Sequence, residues 1–165
     1  MQESLEDVKP ALGKIPSMLT YLDYPPVWLL AALGVVWSET LLMPDVLSVP
    51  GGWIVGTGFV VLAILLFFAA GVAFFRARTT IVPHQMPHKL ITSGIFSLTR
   101  NPIYLADVLL LIGMSLRWGA VLGLLLAPVL VWVLHKRFIK PEEERLRQGF
   151  GPEAEAYFAR TRRWI

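Results

Sequence analysis

Four apolar runs divide the chain, each parted from the next by a short cluster of Pro, Gly or charged residues. The first reads from Val27 to Met43, after the Pro25-Pro26 pair, and the second from Trp53 to Phe75, after Pro50-Gly51-Gly52. A third covers Ile103 to Leu116 and a fourth Ala120 to Ile139, joined by Arg117-Trp118-Gly119. A helix needs about 20 apolar residues to cross the hydrocarbon core, fewer when its ends snorkel. The expected fold class is therefore all-α, a polytopic membrane protein with about four transmembrane helices. The last two form an antiparallel hairpin, because three residues allow nothing else. Pro128 removes a backbone donor in mid-run and predicts a kink. The chain divides into an N-terminal segment (1–26), two spans (27–75) and a C-terminal half (76–165). That half holds a polar loop, the hairpin 103–139 and a further helix.

Composition strengthens this reading. Of 165 residues, 55% are hydrophobic and 16% charged, with mean hydropathy +0.60, which favours the membrane class over a soluble domain. The absence of Cys excludes disulfides, thiolate metal sites and a cysteine nucleophile. The first 26 residues lack the basic start and apolar core of a secretory signal. A pI near 9.4 could suggest nucleic acid, but the bases flank apolar runs, which is membrane topology. Of 15 Lys and Arg residues, Arg117 alone falls on one side of the predicted spans, leaving 14 on the other. The positive-inside rule then places both termini and the 76–102 loop in the cytoplasm, with a bacterial inner membrane as the expected location. Trp28, Trp53, Trp118 and Trp164 fall near span ends as interfacial anchors, and Glu39 near its span's outer end is expected among headgroups.

Polar groups gather on the base-rich side. His84 and His88 have i,i+4 spacing, but Pro83 and Pro87 disfavour a helix there and no third metal ligand accompanies them. Thr92-Ser93-Gly94 reads as a turn returning the chain to the membrane. Asn101 and Pro102 suit the capped start of a helix. Asp107 lies a turn inside that helix, three residues after Tyr104. A carboxylate there lines a polar pocket or serves a structural role between helices. Glu142, Glu143 and Glu144 after Pro141 read as an ordinary acidic helix start or as a site for an ammonium-bearing ligand.

Four of these blocks together resemble the isoprenylcysteine carboxyl methyltransferase superfamily, which also includes phospholipid N-methyltransferases. The blocks are Leu90-Ile91-Thr92-Ser93-Gly94-Ile95-Phe96, Arg100-Asn101-Pro102-Ile103-Tyr104, Glu142-Glu143, and Phe150-Gly151 with Tyr157. Their joint order and spacing carry the likeness, from about Thr79 to the end. The first two runs match only in hydrophobicity. Asn101 stands where histidine is commoner, Phe96 replaces a tyrosine, and Gly113-Met114-Ser115 departs from the phospholipid branch's Gly-x-Gly.

The resemblance implies an S-adenosyl-L-methionine-dependent methyltransferase. Its cytoplasmic cofactor pocket would be formed by the loop before span three and the segment after span four. Cofactor contacts carry over to His88, Lys89, Leu90, Ile91, Gly94, Phe96, Arg100, Asn101, Pro102, Tyr104 and Glu142. In that picture Glu142 binds the cofactor's ammonium and Glu143 supports it. Arg137, or else Lys140, orients the acceptor, and Asp107 takes a proton from an amine or thiol. No metal is called for. The partners implied are the bilayer and a lipophilic small-molecule, lipid or prenylated acceptor, not nucleic acid. The competing reading is a non-catalytic membrane module, either a partner-binding subunit or a small transporter.

Overall fold

The computed structural model describes residues 24–43, 50–79 and 88–165, and every regular element among them is helical. Helix α1 spans Pro25–Leu42, with both prolines inside its first turn rather than before it. Those N–H groups have no intrahelical acceptor, so proline is tolerated there. Helix α2 spans Gly52–Ala77, bounded by Gly51 and Arg78 in left-handed conformation. A 3₁₀ turn at Gly94–Ser97 precedes α3, Pro102–Trp118. Helix α4, Val121–Leu134, continues through a wider π-type turn at His135–Ile139 into α5, Lys140–Phe150; α6 follows as Pro152–Arg160. The helix runs on through Pro128, and a second backbone irregularity, the π turn, follows at His135–Ile139.

Among the described residues, three helices are long and apolar enough to cross a membrane: Pro25–Leu42, Gly52–Ala77 and the continuous Val121–Phe150. The expected third span is shorter. Helix α3 has 17 residues, about 25 Å at 1.5 Å per residue, against a hydrocarbon core of about 30 Å. It is held chiefly by its neighbours, and its pairing with α2 is the most extensive helix contact among the described residues. Gly56 and Gly113 make that contact close. A Cβ on Gly56 would lie 2.6 Å from the Gly113 carbonyl oxygen, and one on Gly113 would lie 2.8 Å from the Gly56 oxygen. In lipid, where apolar side chains gain little from leaving the solvent, such small-residue crossings bring backbones together. On the other side of α3, Val36, Leu111, Leu130, Leu134 and Phe138 join α1, α3 and α4 in one core. Phe68, Phe75 and Leu125 point outward, 62–85% exposed, as lipid-facing side chains.

The end of the bundle that carries the α3–α4 hairpin is tightly closed. Gly119 takes the left-handed conformation that ends α3, and the Ala120 N–H donates to the Ser115 carbonyl at 2.9 Å. Glu39 is not solvated by headgroups as the sequence suggested. It is 6% exposed, and its carboxylate accepts the Val121 and Leu122 N–H groups at 2.9 and 2.8 Å. The physical reason is the brevity of the hairpin: Ala120 has no side-chain oxygen, so the first N–H groups of α4 need an acceptor from another helix. Arg117 donates to Thr57 across the α2–α3 crossing, and Trp118 packs edge-on against Trp37 at 5.3 Å.

Candidate active site

At the opposite end the same helices diverge around a cavity of about 480 Å³. Its wall is built from the first turns of α1 and α3, the last turns of α2, residues 89–91, the 3₁₀ turn and α5. Most of the wall is apolar, from Leu29, Phe67, Phe74, Phe96, Leu110 and Phe138 among others. Into it project Lys89, Arg100, Asn101, Tyr104, Asp107, Glu142 and Arg145. A volume between about 300 and 1,000 Å³ with a few convergent polar groups is the usual form of a small-molecule site.

Each block reaches the cavity for a local reason. Pro102 opens α3, which aims Tyr104 and, three residues on, Asp107 along one face. Asp107 is 3% exposed and its Oδ2 has no hydrogen-bond partner among the described residues. An unpaired carboxylate oxygen at such burial is costly and points to a ligand's needs rather than the fold's. Tyr104 donates its hydroxyl to Glu142 Oε2 at 3.1 Å, bridging α3 and α5. Phe96 packs edge-on against Phe74 at 5.4 Å, and its carbonyl accepts the Tyr157 hydroxyl at 2.7 Å. Burial pushes that phenol up to about 12, so Tyr157 stays a donor. Leu90, Ala154 and Tyr157 form a small core that seats α6 under the 88–98 segment.

The two glutamates part company. One residue step turns a helix by about 100°, so Glu143 cannot share the cavity face with Glu142. Arg145, three residues on, can, and it lines the cavity. Glu143 is 5% exposed and accepts from Arg163 Nε and Nη2 at 2.8 and 2.7 Å, with Arg100 Nη1 at 3.1 Å. That hydrogen-bonded pairing raises Arg163's affinity for its proton, whereas burial of Arg100 acts the other way and Glu143 partly offsets it. Asn101 is the N-cap residue of α3 but makes no side-chain cap; its Nδ2 donates to the Arg163 carbonyl at 2.8 Å.

Of the residues expected to meet a cofactor, the cavity gathers Lys89, Leu90, Ile91, Phe96, Arg100, Asn101, Pro102, Tyr104 and Glu142. His88 and Gly94 are outside its lining, as are Arg137 and Lys140. Arg137 lies over the Trp28 ring at 5.4 Å, so the cavity's basic residues are Lys89, Arg100 and Arg145. His84 lies outside the described residues, among which no cluster of potential metal ligands occurs. Arg145 was legible in principle through its i,i+3 spacing from Glu142. Arg163 was not, because its partner is 20 residues away.

The fold and cavity together define a helical membrane protein with a cavity, the candidate ligand site, at its base-rich end. A family model described as phospholipid methyltransferase matches residues 46–153, and the chain belongs to that family, a family of membrane methyltransferases. The match takes in α2 to α5 and leaves out α1 and nearly all of α6. No curated protein and no solved structure matches the chain.

Proposed function

We propose that the protein transfers a methyl group from S-adenosyl-L-methionine to a lipophilic acceptor that enters the cavity sideways from the bilayer. The observation that carries this reading is the convergence, on one cavity, of the 100–104 elbow, Glu142 and a wide apolar wall. The donor set suits the cofactor. The Glu142 carboxylate would hold an ammonium, the aromatic faces of Phe96 and Tyr104 would suit adenine or a sulfonium, and residues 90–91 would offer backbone groups. When bound, the cofactor supplies an electrophilic methyl group. The chain's task is then to align the acceptor and exclude water. In this reading Arg145, which lines the cavity where Arg137 does not, orients a polar or anionic part of the acceptor, and Asp107 takes the proton that an amine or thiol releases. Glu143 acts from behind the site.

The topology supports lateral access. Helices α1 and α2 both line the cavity and, among the described residues, make no extensive contact with each other, so the acceptor's entry is proposed on that side. Connectivity supports reading α3 as a fourth crossing. The connection of α3 to α4 is Gly119-Ala120, so a spanning α4 requires α3 to return from the same side. With the charge bias of the loops, the cavity then faces the cytoplasm. Prenylated, phospholipid and small hydrophobic acceptors all fit this chemistry. The test is methyl transfer from isotope-labelled S-adenosyl-L-methionine to membrane extracts by protein purified in lipid nanodiscs. Labelled lipophilic product is expected, and failure of the purified protein to bind the cofactor would sink the reading.

A further inference from the structure

Residues beyond α6 run back along the start of α3. The Arg100 N–H donates to the Arg162 carbonyl at 3.0 Å. The Thr99 hydroxyl and the Asn101 amide both donate to the Arg163 carbonyl, at 3.3 and 2.8 Å. Thr99 Oγ1 in turn accepts the Asn101 N–H at 3.2 Å. The Arg163 side chain then turns the other way and grips both oxygens of Glu143. Thr99, Asn101, Glu143 and Thr161 are all buried. The elbow that lines the cavity is therefore tied to the chain's last residues on one side, and through Glu143 to α5 on the other.

We infer that residues 161–163 form a strap that positions the cofactor-facing elbow and Glu142, with Arg163 as its key positioning residue. This inference rests on the methyltransferase reading. It lies outside the residues matched by the family model, which end at Glu153. The logic is one of committed hydrogen bonds. Asn101 spends its amide N–H on the Arg163 carbonyl, which fixes its side chain and leaves its own carbonyl oxygen as the acceptor it can offer a ligand. Glu143 has Glu142 as its immediate neighbour, so anchoring one fixes the rotation of the helical turn that presents the other. Removing the Arg163 guanidinium leaves Glu143 with Arg100 alone, and Arg100 must then satisfy a buried carboxylate while holding the elbow. Loss of a bidentate partner at a buried carboxylate is a large perturbation, yet no atom of Arg163 lies in the cavity lining.

The test compares wild type, Arg163→Ala and Arg163→Lys in nanodiscs by equilibrium binding of labelled S-adenosyl-L-methionine, by steady-state transfer and by hydrogen exchange. Arg163→Ala is expected to weaken cofactor binding on the order of tenfold or more. The loss should appear in KM for the cofactor, with kcat at saturation largely kept. Arg163→Lys should recover part of it. Amide exchange should quicken over residues 98–104, where the Arg100 N–H loses its ordered acceptor, while α2 exchanges as in wild type. Unchanged binding and unchanged exchange at 98–104 would overturn the strap. General acceleration across α2 and α3 would also overturn it, since Arg163 would then serve only global stability. If wild type itself binds no cofactor, the methyltransferase reading fails, and the exchange arm alone decides whether the strap orders the elbow.

Discussion

The two ends of this bundle are made from the same four helices and treat their polar groups in opposite ways. At the hairpin end, Glu39 satisfies two N–H groups of α4, Arg117 reaches Thr57, and Ser115 donates to the Leu111 carbonyl at 2.6 Å. At the cavity end, Asp107 Oδ2 and Arg100 Nε are buried without hydrogen-bond partners among the described residues. A fold that pairs its polar groups so completely at one end has no stability reason to leave them unpaired at the other. The contrast is what supports placing the proposed ligand: the closed end pairs its polar groups across helices, and the open end leaves Asp107 and Arg100 atoms unpaired.

Substitutions can break or sharpen this contrast. The largest effect is expected from Glu142→Ala, which removes the carboxylate facing the cavity. Cofactor binding should fall on the order of a hundredfold, far more than the loss of about 1–3 kcal/mol in stability expected when the Tyr104 hydroxyl loses its acceptor. Unchanged affinity would refute the assigned role. Gly113→Leu strikes the closed architecture instead. No leucine fits where a bare Cβ would already lie 2.8 Å from the Gly56 oxygen. Overpacking there should cost about 1–3 kcal/mol, read as a lower unfolding temperature with the lost activity tracking the lost fold.

Glu39→Ala should destabilise by about 1–2 kcal/mol, the cost of orphaning a helix start. Cofactor affinity of the protein that remains folded should not change. A selective loss of affinity would erase the division between the two ends. The smallest effect on stability is expected from Asp107→Asn, which keeps shape and removes the charge. Unfolding should be unaffected or slightly delayed, and cofactor binding retained, while transfer to an amine or thiol acceptor slows. Retained turnover on every such acceptor would remove Asp107 from the chemistry.

Much of this was legible in the linear pattern. Run lengths and breakers gave the helices within a few residues, because the bilayer leaves a chain only a few ways to satisfy its backbone. The Arg100–Tyr104 block, Phe96 and Glu142 marked the cavity, because each is set by local spacing on a turn or a helix. What was not legible has a common cause, distance along the chain or rotation about a helix. Glu39 read as a headgroup contact, but its partners begin a helix 82 residues later. The resemblance offered Arg137, or else Lys140, as the acceptor's base; neither lines the cavity, whereas Arg145, one helical turn beyond Glu142, does.

By itself, then, the sequence determined an all-helical membrane protein with its bases on one side and a set of polar blocks gathered there. Hydrophobic length, charge asymmetry and short-range spacing are local properties that survive in one dimension. Only the tertiary structure decided which glutamate faces the cavity and which is clamped, that α3 leans on its neighbours through Gly113, and that the final residues reach back to the elbow. Those outcomes depend on rotation about a helix axis and on contacts 20 to 64 residues apart. No local pattern encodes such long-range partners.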